Sequence, residues 1–244
     1  ALITSSNVNM IDVTILEGWS LEKISNLFSN RFSIDEEKFK SLCNDEDYIE
    51  SLGLDASSLE GYLYPDTYMF SENLVHSQNK EVEIINTLVS EFKRKYKKAV
   101  RGRIAHNLSM HEIVTMASIV QGECVYANEM DTVSSVYHNR LDRGMLLQAD
   151  PTIQYIIPGP NKRLYNKDYT RYEENPYNTY SHKGLPPGPI NSPGFEALKA
   201  AAYPAQTDFI FFVAKGNNLH HFTTNERDHI NAKNKFLKRV WAKP

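Results

Sequence analysis

The chain has 244 residues, 41% of them hydrophobic and 23% charged, with a formal net charge of −3. This is enough apolar mass for one substantial core, or for a main domain with a smaller appendage, and the balanced charge carries no footprint for nucleic acid. Two cysteines, Cys43 and Cys124, are too few for a disulfide framework or a cysteine zinc site.

In chain order, residues 13–16 read as a strand and are followed by a helix capped at Ser20, with Leu21, Ile24, Leu27 and Phe28 on one face. Ser33 and Glu36 have capping-box spacing before a second short helix. The polar "DASS" at 55–58 then suggests a boundary between a small βα portion, residues 1–58, and a larger domain, residues 59–244. "LEGYLYPDTYMF" is dense in aromatics around one proline and reads as a packed loop with a short strand. Val82, Ile85, Val89, Phe92 and Tyr96 predict a long helix over residues 80–98, whose basic tail is a solvated last turn favoured by the helix dipole.

Ser109 and Glu112 form another capping box, opening the helix that ends in "SIVQGEC", and a further helix over 129–143 stops at Gly144. Residues 145–193 are rich in Pro, Asn and Tyr and show no period; so long a connection inside a compact domain is usually functional. A helix ("FEALKAAAY"), two strands ("DFIFFVA" and "LHHFTT") around a "KGNN" turn, and a final helix close the chain. The fold class is therefore α+β, a mixed domain of helices and short strands.

On a helical wheel, Ile113, Ala117, Val120 and Cys124 fall in the middle of one apolar face, with Glu123 and Met116 at its rim. A carboxyl so placed is half-desolvated, its pKa rises, and it becomes a proton donor near neutrality, which glycosidic cleavage requires. The competing reading is a Glu that forms a salt bridge at a helix end. Asp150, in "LLQADPT" with Gln148, is either a second carboxylate or an Asx turn closed by its own side chain. The stiff "YNTYSHKGLPPGPINSPG" loop carries Asn178, Tyr180 and Asn191. His220 and His221 are adjacent on a predicted strand and so face opposite ways; with His229 they form no familiar metal-ligand spacing.

Several of these stretches together resemble one family, the YceG-like endolytic murein transglycosylases of bacterial cell-wall metabolism. "EGYLYPDTYMF" resembles its EGWFxPDT segment, and "MASIVQGE" its ASIxExE helix. "NRLDRGMLLQADPTIQY" is similar to its NRLxxGMxLQTDPTxxY run, "YNTYSHKGLPPGPINSPG" to its YNTYxxxGLPPGPIxxPG loop, and "LHHFTTNERDH" to its GHxFxTxxxxH ending. The match runs in order from about residue 59, and "VTILEGWSLEKIS" resembles the strand and helix before that domain.

The resemblance implies that Glu123, the second acid of the ExE pattern, is the catalytic residue; the first acid is Gln121 here, the QTDPT threonine is Ala149, the glycine before the strand histidine is Leu219, and the asparagine after the final histidine is Ile230. It implies glycan contacts from Gln148, Asp150, Tyr177, Asn178, Tyr180, Asn191 and the strand histidine His220, with no metal and no cofactor. The N-terminal portion is expected to be the remnant of a LysM-like subdomain. Implied partners are peptidoglycan glycan strands and cell-wall synthases of the penicillin-binding type. In the family an N-terminal membrane helix holds the enzyme at the cytoplasmic (inner) membrane, with its catalytic domain facing the extracytoplasmic space. No run here approaches the ~18 apolar residues of such a span. The expectation is thus a soluble portion of a tethered protein. The rival readings are a non-catalytic glycan-binding module, a two-carboxylate muramidase using Glu123 and Asp150, and a cysteine enzyme working through Cys124.

Overall fold

Strand β1 (Met10–Thr14) alternates outward Met10, Asp12 and Thr14 with inward Ile11 and Val13, and Ile15 continues the buried side beyond it. The computed structural model that shows this describes residues 9–160 and 162–241, with side chains described as far as Phe236. The strand lies earlier than the 13–16 expected, because Gly18, at φ +77°, turns the chain away after Leu16. β1 pairs antiparallel with β2 (Thr67–Ser71), Met10 opposite Ser71 and Thr14 opposite Thr67, so β2, beyond residue 58, completes the first sheet.

Helix α1 (Leu21–Phe32) and helix α2 (Glu36–Leu42) cover that sheet. Phe28 and Phe32 both meet Phe70 of β2 edge-on with ring centroids 5.6 Å apart, and Phe39 of α2 stacks on Phe28. Each such buried ring contributes ~2–3 kcal/mol by leaving water. The expected Ser33–Glu36 capping box is not formed. Ser33 takes a left-handed conformation as the C-cap of α1, and Asp35 caps α2 by accepting from the Glu37 and Lys38 N–H groups.

Ser20 is the N-cap of α1, but its side chain makes no capping bond. The buried carboxylate of Glu60 accepts from the Leu21 N–H instead, at 3.0 and 3.2 Å. Burial pushes this carboxyl up to about 8, against the pull of the Leu21 and Gly61 N–H groups. A carboxyl raised in the folded state loses stability as pH climbs from about 4.5 to about 8, because only the unfolded chain ionises freely there. Glu60→Gln keeps an acceptor for Leu21 and removes that charge. It is expected to raise stability at pH 9 by on the order of 2–4 kcal/mol and to change little at pH 4. Urea unfolding at the two pH values checks this; a variant less stable at pH 9 would mean that α1 needs the ionised cap.

After α3 (Glu46–Ser51), the aromatic segment packs Leu59, Tyr62, Leu63 and Tyr64 inward and leads through β2 to α4 (Lys80–Ala99). Helix α5 (Met110–Glu123) opens with the expected capping box of Ser109 and Glu112. Its amphipathic reading is corrected: residues 113–120 are all buried, Met116, Thr115 and Ser118 included, so α5 is a central helix wrapped on every side. Around it lie α6 (Met130–Asp142), α7 (Asp150–Ile156) and α9 (Phe195–Ala202), the last reached through α8 (Asn166–Arg171). Residues 145–193, expected to lack regular structure, thus hold two short helices.

Strands β3 (Phe211–Gly216) and β4 (Leu219–Thr223) form a hairpin whose turn residues Asn217 and Asn218 both take positive φ, and α10 (Glu226–Trp241) packs on it. Among the described residues no helix is long and apolar enough to cross a membrane.

Candidate active site

Glu123 is the last residue of α5, the point at which a fully buried helix reaches the surface. The residue is half-buried, and Tyr137 of α6, itself 1% exposed, donates its hydroxyl proton to Oε1 at 2.7 Å. Burial pushes the carboxyl up to about 7; the negative charge of Asp150 adds to this, while the Tyr137 hydrogen bond and the Arg140 guanidinium oppose it. At neutral pH the group is therefore poised between donor and acceptor, as an acid that must later act as a base requires.

One helical turn beyond Tyr137, Arg140 is buried and anchors the surroundings. Its Nε donates to the Ile210 carbonyl at 2.7 Å, and its Nη1 donates to the carbonyls of Leu147 at 2.7 Å and Leu146 at 3.2 Å. Its guanidinium also lies over the Phe211 ring, and Phe212 meets Tyr137 edge-on. The β3–β4 hairpin is thus the backing against which Tyr137 and Arg140 are held.

The turn at 147–149 is stitched to the loop at 178–180. Gln148 N–H donates to the Thr179 carbonyl, Ala149 N–H donates to Thr179 Oγ1, and Thr152 shares that hydroxyl. Asp150 consequently starts α7 beside two tyrosines. Tyr180 and Tyr169 both donate to its Oδ1, at 2.6 and 3.1 Å, in place of the Asx turn considered from sequence. Gly122 makes the close approach of α5 and α7 possible, since a side chain there would collide with the Pro151 ring.

The structure brings Glu123, Asp150 and Tyr180 into one electrostatic cluster. Gln148 is exposed nearby, its Oε1 accepting from Arg140 Nη1 at 3.3 Å. Tyr177 packs against Tyr155. Asn178 is fully buried, its amide donating to the Tyr169 and Tyr172 carbonyls and its Oδ1 accepting from the Tyr180 N–H, so it shapes the loop that presents Tyr180. Asn191 donates to the Ser118 carbonyl and ties the proline-rich loop to α5. His220 is engaged with Glu129, which takes its backbone N–H and lies 3.2 Å from its Nδ1. Cys124 is buried, and burial holds its thiol up at about 12, which suits a space-filling residue and not a nucleophile. Among the described residues no group of three or more His, Cys, Asp or Glu side chains could hold a metal ion.

Reading the sequence residue by residue did not find Tyr137, Arg140 or Tyr169. Tyr137 and Arg140 are three apart on α6 and so share a face, but only the docking of α6 against the end of α5 aims that face at Glu123.

These features define a mixed α+β protein with a candidate acid–base site at the end of its core helix. The chain belongs to the YceG-like family, whose model matches residues 1–235. It is 30% identical to the endolytic murein transglycosylase of Bacillus subtilis, over 92% of this chain and 65% of that protein. It is 27% identical to the endolytic murein transglycosylase of Streptococcus pneumoniae D39, over 91% of this chain and 45% of that protein. The chain therefore spans less than two thirds of either relative. A crystal structure of a putative yceG-like protein from Listeria monocytogenes superposes with a TM-score of 0.77 at 28% identity, covering 90% of this chain and 75% of that one.

Proposed function

We propose that this protein is an endolytic peptidoglycan lytic transglycosylase that cuts the β-1,4 bond between MurNAc and GlcNAc and leaves 1,6-anhydroMurNAc ends. The observation that carries the reading is the half-buried Glu123, hydrogen-bonded to Tyr137, with its carboxyl held at about 7. The names of the relatives favour the same substrate.

In this reading the protonated Glu123 gives its proton to the bridging oxygen as the glycosidic bond breaks. The resulting carboxylate then takes the proton of the C6 hydroxyl of the same MurNAc, whose oxygen closes on C1. No water is consumed, and one carboxyl serves both steps. Tyr137 steadies the anionic form between them by its hydrogen bond. Asp150, with one oxygen occupied by two tyrosine donors, acts as a glycan acceptor and electrostatic partner and not as a second catalytic acid. Gln148, Tyr177, Tyr180, Asn191 and His220 line or shape the glycan path, and Tyr126, 48% exposed three residues after Glu123, offers a ring face for a sugar.

The portion from residue 59 is assigned the chemistry. The part before it, which holds β1, α1, α2 and α3, is read as the remnant of a LysM-like subdomain whose sheet is completed by β2 from beyond residue 58. The proposed setting is the extracytoplasmic face of the cytoplasmic membrane, next to penicillin-binding synthases, where such cleavage would trim or terminate nascent strands. Mass spectrometry of the products from purified glycan strands tests the reading. Ends lighter by one water than a reducing sugar are expected; reducing ends would establish the two-carboxylate hydrolase, and uncut strands a binding module.

A further inference from the structure

The C-terminal half of α5 is held from three directions. Ser118 receives the proline-rich loop, its Oγ accepting from the Ile190 N–H at 3.0 Å and its carbonyl accepting from Asn191 Nδ2 at 2.8 Å. Gly122 rests on Pro151. The third contact comes from the opposite end of the sequence. The Gln121 side chain accepts from the Gly194 N–H through Oε1 at 3.0 Å, and its amide hydrogen-bonds the carboxylate of Glu17, in the loop between β1 and α1.

Several independent features build this contact. Gly194, the N-cap of α9, leaves open the space that the Glu17 carboxylate fills; a Cβ at residue 194 would stand 1.8 Å from Glu17 Oε1. Two backbone hydrogen bonds at 2.8 Å, Gly18 N–H to the Ser192 carbonyl and Ser192 N–H to the Trp19 carbonyl, fasten the two loops together beside it. Gly18, at φ +77°, lies 3.6 Å from Gln121 Cγ by the position of its missing Cβ. The N-terminal loop is thus joined directly to a residue two positions before Glu123.

We propose that Glu17 is a positioning residue for Glu123, acting through Gln121: the Glu17–Gln121–Gly194 relay fixes the last turn of the catalytic helix and so sets where the acid stands. The inference rests on Glu123 being that acid. It gives position 121 a specific requirement. A primary amide there can accept from Gly194 and donate to Glu17 at once. Gln121→Glu offers two acceptors where one donor is needed, and sets two carboxylates against each other beside Glu196, a further negative charge facing Glu17. The family pattern has an acid at this position, so the resemblance alone implies that Gln121→Glu is tolerated; the Glu17 carboxylate beside it gives the opposite expectation in this chain.

The test is a swap on the intact chain, with kcat and KM measured on glycan strands and stability by urea unfolding. Glu17→Ala and Gln121→Glu are each expected to lower kcat by roughly tenfold with KM nearly constant, since a displaced acid loses alignment more than binding. The double variant Glu17→Gln with Gln121→Glu reverses donor and acceptor while keeping both hydrogen bonds, and is expected to recover to within about twofold of wild type. Equal activity of Gln121→Glu and the double variant, or full activity of Glu17→Ala, would overturn the proposal. Should the single variants unfold, failure of the double swap to restore the urea midpoint would overturn it equally. Full activity of Glu123→Gln would instead overturn the assignment of the acid, so the two failures are distinct.

Discussion

Glu123→Gln is expected to abolish cleavage of glycan strands, with kcat reduced by about 10³-fold or more, while the fold is retained. The amide keeps the shape, and its oxygen still accepts from Tyr137, but it neither gives nor takes a proton. Stability works in the same direction. The wild-type carboxyl, raised from 4.5 to about 7 chiefly by burial, binds its proton more tightly when folded, so the folded state loses stability as pH rises through that window. The variant escapes the loss and is expected to be more stable than wild type at pH 8, by on the order of 1–3 kcal/mol. In the wild type the same group places the alkaline limb of kcat/KM near pH 7, with a tenfold fall per unit beyond it. Circular dichroism melts and a pH–rate profile check both halves. A Gln variant that is inactive because it is unfolded would show that Glu123 serves as a structural ion-pairing residue.

Arg140→Met is the second substitution with a large expected effect, and there the loss is structural. Methionine retains much of the volume but donates nothing, leaving the Ile210 carbonyl without its Nε donor and the Leu147 carbonyl without its Nη1 donor. A buried acceptor so abandoned costs ~1–3 kcal/mol. The full loss is expected to be about 3–5 kcal/mol, lowering Tm by on the order of 10 °C. The guanidinium also holds the Glu123 carboxyl down, so its removal should move the alkaline limb to higher pH in whatever fraction remains folded. A urea midpoint within 1 kcal/mol of wild type would mean that solvent or a neighbouring donor replaces Arg140.

What was legible in the sequence was local or composite. Periodicity and caps placed α4 and α5, Ser109 with Glu112 marked the start of α5, and the ordered motifs singled out Glu123, because spacing along one chain records both helical phase and family pattern. The wheel nevertheless misjudged α5. Its apolar positions were read as a stripe, although Thr115 and Ser118 on the supposed polar side are buried as well, their hydroxyls satisfied by the His111 and Thr115 carbonyls. A helix wrapped on all sides hides its polar residues by hydrogen bonding them to itself, and no single-helix pattern reports its neighbours.

The sequence by itself determined the longer helices and the C-terminal hairpin, and that a titratable carboxyl ends a helix in an α+β chain; it did not mark the bounds of β1 or the short helices α3, α7 and α8. The tertiary structure decided what that carboxyl meets. Tyr137 donates to it from a second helix, and the charges of Arg140 and of Asp150, the latter held by two tyrosines, act on it. Glu17, more than a hundred positions away, touches Gln121 two residues before it. Those contacts depend on how α6, α7, the hairpin and the β1–α1 loop dock around α5. Docking is set by the simultaneous filling of one core by distant side chains, a property of the whole packed chain and of no stretch within it.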